Sequence, residues 1–187
     1  MSRIAVCDFD GVVADSAEHT KIAQERAKVF VLQQASNLDE ATERKALSRF
    51  FYSERGFFDP RLIEHDQLMS GCHQALAHLA QAYDNVVIVT SRPPSMREAT
   101  LQWFSRWCPG YEHMEFIFKD TEESVLKTAS WKARLVAQFA QHYDSILFID
   151  DDERNRKAVE ALAANLPGVT IVVISCFEEC FRNANLP

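Results

Sequence analysis

Five short apolar runs recur along the 187-residue chain, and stretches with helical periodicity separate them. Most of the runs are rich in Val and Ile and do not alternate strictly with polar residues, which is typical of strands buried on both faces of a sheet. They span residues 3–8, 86–90, 115–118, 145–150 and 169–175. Alternating strands and helices predict a three-layer α/β fold with a five-stranded, doubly wound parallel sheet.

Residues 16–68 interrupt this alternation, because they have helical character throughout and contain no convincing strand. We therefore expect a core formed by residues 1–15 and 69–187 and a small helical insertion formed by residues 16–68. The insertion is rich in aromatic residues, which either fill its own core, the commoner use, or stack on a nucleobase. These residues are Phe50, Phe51, Tyr52, Phe57 and Phe58.

Polar side chains gather where three of the predicted strands end. Asp8 and Asp10 follow the first apolar run, and the segments Thr90–Arg92 and Asp150–Asp152 follow the second and the fourth. Ligands of doubly wound sheets bind beyond the carboxyl ends of the strands, so the three clusters are expected at one site. Neighbouring carboxylates repel one another unless a cation lies between them, and a hard divalent cation prefers oxygen ligands. Hydroxyl and guanidinium groups suit a phosphate.

The acidic residues also have simpler explanations. Asp15 can cap the helix that follows the first strand, and Asp151 or Asp152 can cap the helix that begins near Glu153. One carboxylate is enough for a cap, so two of the three aspartates after the fourth strand keep no structural role. The position of all three clusters at strand ends favours a functional site.

Charge and composition narrow the possible partners. The formal net charge is −7, which weighs against non-specific binding to nucleic acid or to an anionic membrane. No apolar run approaches the length that crosses a bilayer, and the first strand begins almost at the N-terminus, so we expect neither a membrane span nor a signal peptide. The five cysteines are scattered, which argues against a disulfide framework and favours a reducing, cytoplasmic compartment.

Four motifs, in order, resemble those of the haloacid dehalogenase-like (HAD) phosphohydrolases, and the resemblance covers the chain outside the insertion. They are Asp8–Val13 with the sequence Asp-Phe-Asp-Gly-Val-Val, Thr90 at a strand end, a lysine ahead of the last acidic motif, and Phe148–Asp151. The resemblance implies a Rossmann-like core, a cap at the position of the insertion that covers the site and sets specificity, and Mg²⁺ as the cofactor.

The resemblance also implies a role for each motif residue. Asp8 would attack phosphorus and form an aspartyl-phosphate, while Asp10 would protonate the leaving oxygen and later activate water. Thr90 would bind a phosphate oxygen. Mg²⁺ would be held by Asp8, by the main-chain carbonyl of Asp10 and by Asp150 or Asp151. Because an acid is present at position 10, phosphatase chemistry fits better than dehalogenation.

Three lysines can supply the remaining motif: Lys119, Lys127 and Lys132. Lys132 is preferred, because Ser130 has the character of a helix N-cap and places Lys132 in the first helical turn. The helix dipole disfavours a cation there, so a lysine at that position is expected to serve a site. Lys127 in the preceding loop is the second choice, and a solvated surface lysine is the alternative to both.

A narrower similarity links Thr90–Arg92, together with Asp150–Asp151, to the phosphatase domain of polynucleotide kinases. In that domain an arginine two positions after the hydroxyl contributes to phosphate binding. Arg92 is therefore a candidate phosphate contact, with Gly11 and Ser91 as further substrate contacts. The alternative for Arg92 is a surface position ahead of two prolines.

The hypothesis favoured by the sequence is a Mg²⁺-dependent phosphomonoester hydrolase that acts on a small phosphorylated metabolite or nucleotide. A polynucleotide 3′-phosphatase is the first alternative, although the insertion balances its basic residues with acidic ones and has no basic stripe. A non-catalytic binding module of the same fold is the second alternative. Such a module would be expected to have lost some of the motif residues, and none is missing.

Overall fold

The computed structural model describes residues 1–34, 39–112, 114–120 and 127–182. In chain order the strands are β1 (Arg3–Asp8), β2 (Ala14–Asp15), β3 (Gln67–Leu68), β4 (Asn85–Thr90), β5 (Glu115–Phe118), β6 (Ser145–Ile149) and β7 (Thr170–Ile174). The helices are α1 (Ala17–Gln34), α2 (Glu40–Phe51), α3 (Cys72–Ala82), α4 (Arg97–Trp107), α5 (Thr128–Phe139), α6 (Glu153–Ala163) and α7 (Phe177–Arg182). Five parallel strands form the main sheet in the order β5-β4-β1-β6-β7, so the predicted α/β class and parallel sheet are confirmed.

Strand β1 shows why the sheet is covered on both sides. Successive side chains of a strand point to opposite faces, and both faces of β1 are apolar. Ile4 and Val6 pack against α5 and α6, whereas Ala5 and Cys7 pack against α3, α4 and α7. The result is three layers, helix, sheet and helix, with a hydrophobic core on each side of the sheet.

The insertion is joined to the core through a pair of very short strands. β2 and β3 pair antiparallel, with Ala14 opposite Leu68, so the chain enters and leaves the insertion side by side. Within the insertion, α1 packs against α2, and a 3₁₀ helix at Pro60–His65 packs against α4 of the core. The sequence pattern did not predict β2 and β3, because a two-residue strand is too short to show a periodicity.

Aspartates begin two of the helices. Asp39 caps α2, where its Oδ1 accepts from the backbone N–H of Thr42 at 3.0 Å. Asp152 caps α6, where its Oδ1 accepts from the backbone N–H of Arg154 at 2.8 Å. Each such cap typically stabilises a helix by about 1 kcal/mol. All five cysteines are free thiols, and none of the described helices has both the length and the apolar composition of a membrane span.

Candidate active site

The three polar clusters meet at the carboxyl edge of the main sheet. β1 lies between β4 and β6, and the three strands end at nearly the same level, since Asp8 is opposite Val89 and Cys7 is opposite Ile149. Residues that follow these strands therefore face one another. This edge is where ligands bind in sheets of this topology.

Lys132 of α5 lies between two of the aspartates. Its Nζ is 2.7 Å from Asp8 Oδ2 and 2.6 Å from Asp150 Oδ2. The side chains of Lys132 and Asp150 are 2% and 0% exposed. A buried lysine of this kind is retained only when carboxylates offset its charge. Among the three candidate lysines, the structure places Lys132 against the aspartates, while Lys127 is exposed on the wall of the neighbouring cavity.

The helix that carries Lys132 begins earlier than the sequence predicted. α5 starts at Thr128, with Lys127 at the N-cap position and no side-chain cap bond, so the prediction of Ser130 as the N-cap is wrong. Lys132 consequently lies beyond the first turn, on the buried side of α5 beside Trp131. Burial against two carboxylates, rather than conflict with the helix dipole, distinguishes this lysine.

Asp150 is fixed by hydrogen bonds to the start of α6. Its Oδ1 accepts from the backbone N–H of Asp152 and from Nδ2 of Asn155, both at 3.0 Å. The helix-cap role belongs to Asp152, which leaves Asp150 and Asp151 for the site. The sequence analysis missed Asn155, although its place in the first turn of α6, five residues after Asp150, lets its amide reach back to the loop.

Asp8, Asp150 and Asp151 each present a carboxylate oxygen within 4.8 Å of the others. Gly11 makes this approach possible in two ways. Its φ of 80° lies in the left-handed region, and a Cβ at this position would collide with the carboxylate of Asp151. Three carboxylates form a hard oxygen donor set that fits Mg²⁺.

The electrostatics of the cluster are dominated by burial and by negative charge. Burial raises the pKa of Asp8; the Lys132 ammonium opposes this rise and the Asp150 carboxylate adds to it. Burial and Asp150 likewise raise the pKa of Asp151. Burial disfavours the charged form of Lys132, but Asp8 and Asp150 outweigh it and raise the pKa of Lys132. The ammonium of Lys132 thus offsets only part of the negative charge of the neighbouring carboxylates.

Arg92 is buried and does not lie at the surface, so the alternative prediction for this residue is wrong. Its Nε and Nη2 donate to the two carboxylate oxygens of Asp10, at 3.1 and 2.6 Å, and Nη2 also lies 2.6 Å from Asp66 Oδ2. The guanidinium lies over the ring of Phe9, with 4.6 Å from Cζ to the ring centroid. Arg92 does not line the cavity beside the site. The structure therefore places Arg92 behind Asp10, and its predicted contact with phosphate stays a prediction.

Thr90 and Ser91 have different environments. Thr90 is buried, and its Oγ1 accepts from the backbone N–H of Arg92 at 3.1 Å. Ser91 lines the cavity together with Gly11. The hydroxyl of Thr90 thus shapes the loop that carries Arg92, while Ser91 is the residue of this loop that faces the cavity.

A cavity of about 1200 Å³ lies between the insertion and the carboxyl edge of the sheet. Asp8, Asp10 and Lys132 line its floor. The aromatic residues of the insertion divide into two groups around it. Phe50 stacks on Phe30 inside the insertion, with ring centroids 4.4 Å apart. The second group lines the cavity and consists of Phe51, Tyr52 and Phe57.

Comparisons with known proteins give a likeness of structure without a likeness of sequence. No protein-family model and no curated protein matches the sequence. A predicted phosphatase from Clostridium acetobutylicum superposes with a TM-score of 0.58 at 15% identity, over 97% of each chain. CbbY from Rhodobacter sphaeroides, solved with phosphate, gives 0.54 at 15% identity, over 94% of this chain and 87% of its own. A HAD family enzyme from Bacteroides thetaiotaomicron, a magnesium complex, gives 0.55 at 15% identity, over 98% and 99%.

These superpositions include the insertion, because they extend over nearly all of this chain. Identity this low carries information on the fold alone. The fold expected from the sequence resemblance is confirmed: the chain has the fold of the HAD-like hydrolases.

Proposed function

We propose that the protein is a Mg²⁺-dependent phosphomonoester hydrolase that acts through an aspartyl-phosphate at Asp8. The observation that carries the proposal is the cluster at the carboxyl edge of β1, where Lys132 bridges Asp8 and Asp150 and where Asp151 adds a third carboxylate. Positive charge next to a nucleophilic carboxylate is what a dianionic phosphate needs in order to approach it.

The first step forms one bond and breaks another. A carboxylate oxygen of Asp8 bonds to phosphorus, the bond between phosphorus and the ester oxygen breaks, and Asp10 gives its proton to the leaving oxygen. In the second step Asp10 takes a proton from water as that water attacks phosphorus, and inorganic phosphate leaves Asp8. Asp8 is oriented for this role because the backbone N–H of Phe9 donates to its Oδ1 at 2.8 Å.

The metal ligands in this proposal are Asp8, Asp150, Asp151 and the main-chain carbonyl of Asp10. Bound Mg²⁺ would offset the repulsion between the carboxylates and the phosphoryl group. Two residues hold the ligands from behind. Asn155 binds the carboxylate of Asp150, and Arg156 donates to the backbone carbonyls of Asp150 and Asp151, at 2.7 and 2.6 Å.

The cavity supports a small phosphorylated metabolite or a nucleotide as the substrate. Its volume of about 1200 Å³ exceeds the needs of a phosphoryl group alone, and Phe51, Tyr52 and Phe57 provide flat apolar surfaces. Lys28 and Arg44 lie on the same insertion wall, so this part of the cavity combines aromatic and basic groups. A nucleobase fits the aromatic surfaces, and an anionic group of the substrate other than the phosphate at Asp8 would fit the basic ones.

A substrate panel tests the proposal directly. Purified protein is incubated with sugar phosphates, nucleoside monophosphates, p-nitrophenyl phosphate and a 3′-phosphorylated oligonucleotide, with Mg²⁺ or with a chelator, and released phosphate is measured. We expect Mg²⁺-dependent turnover of at least one small ester, and rapid quenching with mass spectrometry should show phosphate on Asp8. The absence of turnover of every ester, or turnover that the Asp8→Asn variant retains, would overturn the proposal.

A further inference from the structure

Asp10 begins a row of linked polar groups that leads from the sheet edge into the insertion. Asp10 bonds Arg92 through both carboxylate oxygens, and Arg92 Nη2 is shared with Asp66. The other oxygen of Asp66 lies 2.9 Å from Nδ1 of His19, and Nε2 of His19 lies 2.9 Å from the carbonyl oxygen of Phe57. Asp66, His19 and Phe57 all belong to the insertion.

The members of this row are held rigidly. The side chains of Arg92, Asp66 and His19 are all 0% exposed. Trp103 of α4 donates from Nε1 to the backbone carbonyl of Asp66 at 3.1 Å, and the ring of His19 stacks on Phe57 with centroids 4.4 Å apart. A planar guanidinium that binds two carboxylates at once restricts the orientation of both.

The row leaves Arg92 no obvious place for a phosphate. Arg92 does not line the cavity, whereas Asp10 does, with 22% of its side chain exposed. Nη1 of Arg92 has no hydrogen-bond partner within the described part of the chain, and it too is buried. Of the two side chains, Asp10 is therefore the one that borders the cavity.

We propose that Arg92 is a positioning residue for Asp10, and that Asp66, with His19 behind it, fixes Arg92 from the insertion. The inference rests on the proposed function, because it takes Asp10 as the group that protonates the leaving oxygen. Its consequence is that the insertion takes part in the chemistry as well as forming a wall of the cavity.

The test compares esters that need a proton on the leaving oxygen with esters that do not. An alkyl phosphate has a poor leaving group and depends on the acid, whereas the nitrophenolate of p-nitrophenyl phosphate leaves without one. Arg92→Lys keeps the charge but cannot bind both oxygens of Asp10 and also Asp66. We expect single-turnover phosphorylation by the alkyl ester to fall by about tenfold to a hundredfold, and that by p-nitrophenyl phosphate by less than about threefold.

Asp66→Asn gives a second, milder variant, because the amide keeps the shape but loses the charge that holds Arg92. We expect single-turnover phosphorylation by the alkyl ester to fall by about three- to tenfold, again with a smaller loss for p-nitrophenyl phosphate. Asp59→Asn is the matched control. Asp59 is 2% exposed and pairs with Arg26 at 2.7 Å and with Arg61, whose side chains are 40% and 83% exposed. It is a buried carboxylate of the insertion, and none of the ion pairs described for it joins it to Asp10. It should lower the melting temperature without any selectivity between the two esters.

A double variant decides whether Arg92 acts through Asp10. In an Asp10→Asn background, Arg92→Lys should add less than about a twofold further loss, because the group that it positions is already gone. The inhibition constant of inorganic phosphate should also change by less than about twofold in Arg92→Lys. If the losses of the two single variants multiply in the double variant, or if that constant rises strongly, the inference is wrong. Arg92 would then be a residue that binds phosphate directly.

The proposed function and the inference fail in different ways. If Asp10→Asn slows both esters equally, the acid role of Asp10 is wrong, and the inference goes with it. If Asp10→Asn is selective but Arg92→Lys and Asp66→Asn are not, the proposed function stands and the inference is wrong. Should Arg92→Lys fail to fold, Asp66→Asn alone carries the same comparison against Asp59→Asn.

Discussion

Asp8 and Asp10 are two residues apart in the sequence, yet different parts of the molecule support them. The Asp8 side is built wholly from the core, with Lys132 from α5 and Asp150 from the end of β6. The Asp10 side depends on Arg92 and, behind it, on residues of the insertion. The difference shows that two residues of one acidic motif can be supported by two separate sets of side chains. One set belongs to the core and the other extends into the insertion.

The difference has a consequence for how variants behave. Changes to the Asp8 side should affect every ester, because all of them must meet the same nucleophile and metal. Changes to the Asp10 side should depend on the leaving group, and changes on the cavity wall should depend on the rest of the substrate.

Asp8→Asn should lower turnover of every ester by about a thousandfold or more, because the amide has nearly the shape of the carboxylate but cannot act as the nucleophile. Steady-state phosphate release measures the loss, and the melting temperature shows whether the variant is folded. A folded variant that keeps more than about a tenth of the activity would rule out Asp8 as the nucleophile.

Removal of divalent cations should lower turnover of good and poor leaving groups alike, by about a hundredfold or more. Mg²⁺ should restore activity better than Ca²⁺, which is larger and takes more ligands. Mg²⁺ should also raise the melting temperature, because it relieves repulsion among Asp8, Asp150 and Asp151. Asp151→Asn should weaken this stabilisation by Mg²⁺. Full activity in the presence of a chelator would show that the proposed dependence on Mg²⁺ is wrong.

Lys132→Met should reduce turnover by about a hundredfold for both classes of ester, in contrast to Arg92→Lys. It should also destabilise the protein by about 3–5 kcal/mol, because it leaves the buried charges of Asp8 and Asp150 without the cation that offsets them. Denaturant unfolding measures this loss, and Mg²⁺ should recover part of it. A loss confined to poor leaving groups would mean that Lys132 supports Asp10 and not Asp8. The proposed difference between the two sets of supporting residues would then be wrong.

Substitutions on the cavity wall should have the smallest effect on chemistry and should alter substrate choice. Phe51→Leu and Tyr52→Ala should change the ratio of kcat/KM for a nucleotide over p-nitrophenyl phosphate by about tenfold, while leaving p-nitrophenyl phosphate turnover within about threefold. Phe58→Leu is the control, because Phe58 is partly buried but does not line the cavity. An equal shift in Phe58→Leu would mean that the aromatics act only through the stability of the insertion.

The lining of the cavity also shows which residues of the insertion should be substituted in this experiment. A choice made from the sequence alone would include Phe57 and Arg49, as an aromatic and a basic residue of the insertion. Phe57 lines the cavity, but its carbonyl binds His19, so its substitution would disturb the row that ends at Asp10. Arg49 is exposed and does not line the cavity. Phe51 and Tyr52 also line the cavity, and Tyr52 is the cleaner probe of the two, because the ring of Phe51 stacks on that of Phe57 with centroids 5.5 Å apart.

Much of the fold could be predicted because its information is local. A run rich in Val and Ile with no polar side forms a strand that must be covered on both faces, and five such runs separated by helices leave few arrangements other than a doubly wound sheet. Most of the motif residues lie at the ends of these strands or directly after them in the chain. Asp8, Thr90 and Asp150 could therefore be brought to one sheet edge on paper, since parallel strands end on the same side.

The supporting residues could not be predicted, because each one depends on contacts between distant parts of the chain. Arg92 is 82 residues from Asp10 and 26 from Asp66, and His19 is 47 from Asp66. No periodicity or spacing marks such pairs in the sequence. Only packing puts Arg92 behind Asp10 instead of at the surface. Burial likewise selects Lys132, since a lysine buried between two carboxylates looks in sequence like any lysine on an amphipathic helix. The sequence by itself thus determined the sheet and the acidic residues at its edge, and the tertiary structure decided which charges hold them in place.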